Sequence, residues 1–475
     1  MKALWKKFQS MPESLKATLV FAIASFATSG INYLTTPIFT RLLSGAEYGT
    51  VAVYNSWYAI VRVFASMTLI FPGILNVGLY EHADNRWGYL SSMLGITTLS
   101  TAVLSLVYFL CPGLFQQLLG LDGSLMVLML LSCFALPATN MWTMKQRYEY
   151  RYKTTFLVSV GSAVLAQAVS ILAVLAAKED LDQVRLWSAG LVNMAVGLGL
   201  FCYILKQGRA FVDIPLWKKT LVVALPLIPH YLGGELLSSM DKIMIDALVG
   251  KTEAGIYSLA AILSAIGILL WRALSVMFNP FVNAKLGRRE FSAIREAVKP
   301  LMLFVGVLCV IASLAAPEII RILATEEYLA GIYVVPPVAA GIFLHAMYDT
   351  FAAVSFFHKK STRIMTATLT AAAVNLVCNY IFIKSFGYIA AGYTTLLSSL
   401  VLTAMHYRNA RTIEAEEIYD PRFSLRSVAL VTVGCLLCNL LYPYLLVRYV
   451  LIAALLVFLW TRRRSVLQML MGMKA

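Results

Sequence analysis

Apolar residues come in long runs from one end of the chain to the other, and polar residues gather in short breaks between them. An α-helix rises 1.5 Å per residue, so about 20 apolar residues cross a hydrocarbon core of about 30 Å. Fourteen runs meet this requirement. Their approximate limits are 17–40, 50–75, 88–111, 123–143, 154–177, 185–205, 219–240, 253–279, 299–321, 330–357, 364–383, 388–407, 426–442 and 445–461. The pattern predicts an all-α integral membrane protein of about 14 transmembrane helices. The first run follows a basic start, as in a signal peptide, but it is too long for a signal h-region and reads as a retained span.

The basic residues test this count. With the N-terminus inside, 29 of the 39 Lys and Arg fall on the inside, among them Lys2, Lys6, Lys7 and Lys474, and 8 fall outside. Arg62 and Arg272 remain within spans. Positive charge accumulates in cytoplasmic loops, so both termini are expected in the cytoplasm. One missed span midway would scramble the alternation.

Composition agrees. The chain of 475 residues is 60% hydrophobic and 13% charged, far from the quarter charged that soluble domains carry. Its net charge of +15 would suit nucleic acid, but no soluble domain presents a basic stretch, so no nucleic-acid partner is expected. All seven cysteines lie in or beside apolar segments, and the Cys435–Cys438 pair reads as packing rather than redox or metal chemistry. The longest loops, near 280–298 and 408–425, hold about twenty residues. Neither Walker A, H-E-x-x-H nor a Gly-rich nucleotide fingerprint stands at a plausible place. No enzyme activity, cofactor or metal is therefore expected.

A short motif occurs twice. RLLSGAEYGTVAVY at 41–54 is echoed by ALVGKTEAGIYSLA at 247–260, with Glu47 matching Glu253 at an offset of 206. Pro72 and Pro280 follow at 208, and Arg62 and Arg272 at 210. Two six-span halves, 1–206 and 207–410, followed by two extra spans in 411–475, account for this order. Six is even, so the halves are parallel repeats related by an axis along the membrane normal, around a central cavity suited to alternating access. The turn residues read as structural: glycine for tight approach, glutamate as a helix cap.

The combination of PIFTRLLSGAEYGTVAVY, DKIMIDALVGKTEAGIYSLAAIL and GYIAAGYTTLLSSL resembles the polysaccharide and O-antigen flippases of the multidrug/oligosaccharidyl-lipid/polysaccharide exporter superfamily. The resemblance covers nearly the whole chain. It implies two six-helix lobes in the bacterial inner membrane that move an undecaprenyl-pyrophosphate-linked oligosaccharide to the outer leaflet. It implies membrane lipids and glycan polymerase or assembly proteins as partners, and no covalent chemistry. The alternatives are a cation-coupled multidrug antiporter of the same fold and a lipid II-type flippase. A membrane enzyme of glycan assembly is disfavoured by the short loops. The first span holds no acid, which counts against the antiporter, and lacks the charged residues usual there in the lipid II branch.

Charges inside a membrane are costly and usually face a cavity. Arg62 sits about eleven residues into the second span, near the midplane, on a stripe with Asn55, Tyr58 and Ser66. A guanidinium suits a pyrophosphate; the competing reading is an ion pair with an intramembrane acid. Arg272 lies nearer the cytoplasmic end of its span, as cavity cation or interface anchor. Asn32 belongs to a small-polar stripe with Ser25, Thr28, Ser29 and Thr36 that suits sugar hydroxyls or helix packing equally. Glu235 and Asp349, the latter one turn from His345, are the candidate acids for ion coupling or for neutralising the arginines. Pro226 and Pro229 are expected to kink the seventh span beside His230, a packing histidine, and Pro336 and Pro337 to bend the tenth.

Overall fold

The computed structural model describes residues 11–414 and 416–472, so Lys2, Lys6, Lys7 and Lys474 lie outside the described residues. These form eighteen α-helices and four short 3-10 segments, with no strand among them. The helices are α1 Glu13–Leu42, α2 Gly45–Ala65, α3 Pro72–Glu81, α4 Arg86–Leu110, α5 Pro112–Leu119, α6 Gly123–Tyr148, α7 Tyr152–Ala176, α8 Leu181–Gly208 and α9 Ile214–Ala224. They continue with α10 Ile228–Leu248, α11 Lys251–Gly287, α12 Phe291–Leu314, α13 Ala316–Leu323, α14 Val335–Phe357, α15 Ser361–Phe386, α16 Ile389–Ile413, α17 Pro421–Leu437 and α18 Leu445–Gly472.

Thirteen helical stretches among the described residues are long and apolar enough to cross a membrane. They match thirteen of the fourteen expected spans. The remaining one is α2, which has the length but carries Glu47, Asn55 and Arg62 in 21 residues. Its expected extension to residue 75 is also corrected, because the helix stops at Ala65. Met67 and Thr68 adopt left-handed φ angles of 49° and 63°, and Pro72 then opens α3 from an extended Phe71. The left-handed pair Met67 and Thr68 and the extended Phe71 end the helix, and Pro72, which lacks an N–H, is placed in the first turn of the next one, where none is needed. Its repeat mate Pro280 lies inside the unbroken α11. One copy of the repeat is thus broken where the other is continuous.

The turns that start the two copies are built differently. Ser44 and Glu47 form a capping box: the Ser44 N–H donates to Glu47 Oε2 at 2.8 Å, and the Glu47 N–H to Ser44 Oγ at 3.3 Å. In the second copy Gly250 has φ +155°, and a Cβ there would stand 2.8 Å from Glu253 Oε2. Glu47 caps its own helix start, and the Glu253 carboxylate lies beside Gly250, where a side chain would crowd it.

The chain folds as two compact units that divide between Glu235 and Leu236. In the first, α1 packs on α7, α8 on both α6 and α7, and α4 on α8. Its core joins Leu69, Leu75, Leu90, Met93, Met141 and Ile204. In the second, α14 is the central element, packed against α16, α11, α12 and α17. Its core holds Trp271, Phe278, Leu301, Phe343, Met347 and Cys435. All seven cysteines are free thiols. Apolar side chains such as Leu430, Leu446 and Val450 stay exposed on α17 and α18, as suits helices that face hydrocarbon.

Both proline pairs act, though not alike. Pro226 lies in the 3-10 segment Leu225–Leu227 that interrupts the seventh span between α9 and α10. The Ile228 N–H bonds to Leu225, and the Thr68 hydroxyl donates to the carbonyl of Ala224 at 3.1 Å. A side-chain hydroxyl thereby satisfies backbone near the break, as a membrane interior requires. Pro336 and Pro337 do not bend a helix. They occupy the first turn of α14, where the 3-10 segment Glu326–Val334 becomes α-helix and their missing N–H groups cost nothing.

The last helix is tied down by charge. Arg448 on α18 donates from Nη1 to Glu318 Oε2 at 2.6 Å and from Nη2 to Glu318 Oε1 at 2.8 Å, with Nη1 also reaching the Leu314 carbonyl at 2.9 Å. Its side chain is 3% exposed. Removing one partner of a buried ion pair strands the other. Arg448→Ala is expected to lower unfolding stability in detergent by about 3 kcal/mol. Adding Glu318→Ala should cost less than the two single changes summed, as a double-mutant cycle on thermal unfolding would read.

Candidate functional site

Arg62 stands in the last turn of α2, where the helix dipole favours a cation, and not in mid-helix as its position in the expected span implied. It is not a free cation. Its Nη2 donates to Glu235 Oε1 at 2.8 Å, with the side chains 36% and 18% exposed. The expected substrate cation and one expected coupling acid are therefore each other's partners. Arg62 Nε is buried and has no hydrogen-bond partner among the described residues. The guanidinium is paired through Nη2 alone, and its Nε on the same edge is left unsatisfied.

Local structure fixes this pair from both sides. The broken segment 66–71 follows Arg62 directly, and Phe71 stacks on Tyr231 with ring centroids 3.9 Å apart and planes 11° from parallel. Tyr231 is one helical turn before Glu235 on α10. A Cβ at Gly73 would come 3.1 Å from the Tyr231 hydroxyl. With the Thr68 bond to Ala224, three contacts hold the break in α2–α3 against the break in α9–α10. Two interrupted helices bracket an ion pair, an arrangement that membrane proteins tolerate where backbone is buried or lines a cavity.

The other residues of the expected stripe divide. Asn55 is exposed and Tyr58 half-buried on α2, upstream of Arg62. Ser66 is 1% exposed and its hydroxyl is enclosed, so the stripe ends at Arg62. Asn32 on α1 is exposed, and its Oδ1 accepts from Gln167 Nε2 of α7 at 2.8 Å. Thr28 and Thr36 bond to carbonyls of their own helix. His230 makes an edge contact with Tyr231.

In the second unit Arg272 is exposed and makes no ion pair among the described residues. It is close enough to bear electrostatically on Asp349 and His345. Asp349 Oδ2 accepts from the indole Nε1 of Trp271 at 2.9 Å. His345 stands edge-on to Tyr348 at 4.7 Å, and no hydrogen bond joins it to Asp349 among the described residues.

A second polar centre escaped the sequence reading. Asp241 is 5% exposed on α10. Its Oδ1 accepts from Asn379 Nδ2 at 2.7 Å and Asn375 Nδ2 at 3.2 Å; its Oδ2 accepts from the Tyr257 hydroxyl at 2.5 Å and the Thr395 hydroxyl at 2.6 Å. Thr394 donates to Asn379 Oδ1. All four groups on the carboxylate are neutral, so hydrogen bonds, not an opposite charge, offset its desolvation. The seventh span was expected to end at residue 240, one residue short of this acid, and α10 continues to Leu248. The available signal was Asn375 and Asn379 at i, i+4 on an apolar helix.

The fold and the sequence both have known likenesses. A lipid II flippase, MurJ, in an inward closed conformation superposes with a TM-score of 0.68 at 14% identity, covering 94% of this chain and 100% of that one. An inward-facing multidrug resistance MATE transporter superposes with a TM-score of 0.59 at 13% identity, covering 84% of this chain and 98% of that one. The chain therefore has the multi-helix membrane fold that these two transporters share. Residues 14–282 match the family described as polysaccharide biosynthesis protein, and the chain belongs to that family. A relative from Haloferax volcanii, described as a probable low-salt glycan biosynthesis flippase, Agl15, is 24% identical over 409 residues, 82% of each chain.

Asp241→Ala is expected to remove the acceptor shared by four donors and lower unfolding stability by about 3 kcal/mol, whereas Asp241→Asn keeps part of the network and loses less. Thermal unfolding of the purified variants reads the difference; equal losses would mean that the carboxylate charge, not hydrogen bonding, organises the cluster.

Proposed function

We propose that this protein moves an undecaprenyl-pyrophosphate-linked oligosaccharide from the cytoplasmic to the outer leaflet of the bacterial inner membrane by alternating access, for export of O-antigen, capsule or exopolysaccharide. The observation that carries the reading is the Arg62–Glu235 pair. A guanidinium paired on one edge can exchange a carboxylate for a pyrophosphate, because both are planar or bidentate oxygen acceptors of like charge. Membership of the polysaccharide biosynthesis family and the likeness to the Haloferax protein described as a probable glycan biosynthesis flippase support a glycan substrate.

In this scheme the arriving pyrophosphate displaces Glu235 from Arg62. Release restores the ion pair, which returns the empty carrier. Displacement separates Glu235 from its cation, which links substrate occupancy to the ion pairing of the site. Asn55, Tyr58 and Asn32 offer hydrogen bonds to the glycan. Arg272, Asp349 and His345 form the matching polar group of the second half, within lobes 1–206 and 207–410 and the extra spans of 411–475. Both termini lie in the cytoplasm, as the basic residues suggest, and glycan polymerase or assembly proteins receive the product. A lipid II-type substrate carries the same pyrophosphate and would use the same pair.

Deleting the protein in its host and measuring surface glycan with lipid-linked intermediates separates these readings. Loss of one surface polysaccharide with accumulated intermediates supports glycan export. Accumulated peptidoglycan precursor points to the lipid II substrate, and dye sensitivity with normal glycan to a drug antiporter. Arg62→Ala should abolish export while the protein still inserts, and Arg62→Lys should restore part of it, since a point charge replaces the fork. Glu235→Gln should bind the pyrophosphate lipid about tenfold tighter and export it more slowly. Normal export by Arg62→Ala would sink the role given to the pair.

A further inference from the structure

Outside the polar centres described above, the described residues form a cationic pocket in the second unit. It lies where the start of α15 meets the end of α16, and Arg363, Met405, Arg408, Asn409 and Thr412 line about 280 Å³ of open space. No acid is among the lining residues. Arg363 donates from Nη1 to the Thr412 hydroxyl, and the Arg363 carbonyl accepts from Asn409 Nδ2 at 3.3 Å. These contacts set the guanidinium's place without neutralising it. Arg408 is exposed and makes no ion pair among the described residues.

Neighbouring cations are treated differently. Arg411 pairs with Glu417 at 3.3 Å, and Arg289 lies within 4 Å of both Glu414 and Glu416. His358 reaches Glu414 at 2.7 Å, and Lys299 reaches Asp420 at 3.6 Å. The acids of this face are thus engaged with other bases, and the pocket keeps two guanidinium charges. Arg363 also sits in the first turn of α15, where the helix dipole adds positive potential. Lys359 and Lys360 precede that helix, and the exposed Phe356 and Phe357 end α14 just before them.

We infer that this pocket binds the phosphodiester headgroup of an anionic phospholipid of the cytoplasmic leaflet. Two guanidinium forks suit the phosphate oxygens, Thr412 and Asn409 suit the glycerol, and Met405 supplies an apolar wall where the acyl chains begin. Basic pockets between transmembrane helices at the cytoplasmic surface are placed at headgroup height, where such lipids are abundant. The leaflet rests on the orientation proposed above; the binding chemistry does not.

The test uses the full chain in neutral detergent, with dioctanoyl phosphatidylglycerol, dioctanoyl phosphatidylcholine and inorganic phosphate as probes. Native mass spectrometry and thermal shift read binding. Phosphatidylglycerol should bind and raise the melting temperature, and phosphatidylcholine should do neither at the same concentration. Arg408→Gln, a change at an exposed side chain, should weaken the lipid about tenfold, and Arg363→Gln combined with it further, while Arg411→Gln leaves binding unchanged. Equal binding of phosphatidylcholine, or of inorganic phosphate, would overturn the lipid assignment. An equal loss in Arg411→Gln would show diffuse surface charge and overturn the pocket. Export need not be measured, so failure here leaves the transport proposal standing.

Discussion

A charge inside a membrane protein needs an opposite charge, a polar shell or water, and the first unit shows the paired case. Arg62 meets Glu235 from a helix 173 residues away in sequence. The pair lies where two helices are interrupted, α2–α3 at 66–71 and α9–α10 at 225–227. Interruption frees backbone groups, and the Thr68 hydroxyl answers one of them at Ala224. The Phe71–Tyr231 stack holds the same two segments together. A partly exposed ion pair between broken helices is weaker as a fastener than as an exchangeable contact, because water and a competing anion can reach its arginine.

The second unit meets the same constraint with different means. Asp241 is deeply buried and held by two amides and two hydroxyls, so its charge is spread over neutral donors. Asp349 has an indole partner, and Arg272 next to that indole stays exposed. The repeat that relates the halves therefore preserves turn positions and helix order more closely than charge pairing. Glu47 and Glu253 illustrate this: both stand in the first turn of their helices, one in a serine capping box and one beside a glycine at positive φ. Pro72 breaks its span and Pro280 does not.

Hydropathy alone located thirteen spans, because a helix partitions into lipid by its own composition and needs no partner to do so. It misjudged the most polar one. The end of α2 depends on left-handed Met67 and Thr68 and on an extended residue before Pro72, none of which a run of apolar letters reveals. A boundary set one residue short likewise left Asp241 outside the seventh span, although Asn375 and Asn379 already stood one turn apart on an apolar helix.

The sequence by itself determined the class of protein, the helix order, the recurrence of the turn motif and the intramembrane charges other than Asp241, since each is a property of local composition and spacing. Only the tertiary structure decided which charges meet. Arg62 and Glu235 were both legible as costly residues, but pairing is a fact of distance, and their elements come together only when the interrupted helices pack. The same holds for Ser66, polar by letter and enclosed by packing, and for Arg363 and Arg408, ordinary interfacial cations whose lack of acids becomes visible only when the neighbouring acids are seen engaged elsewhere.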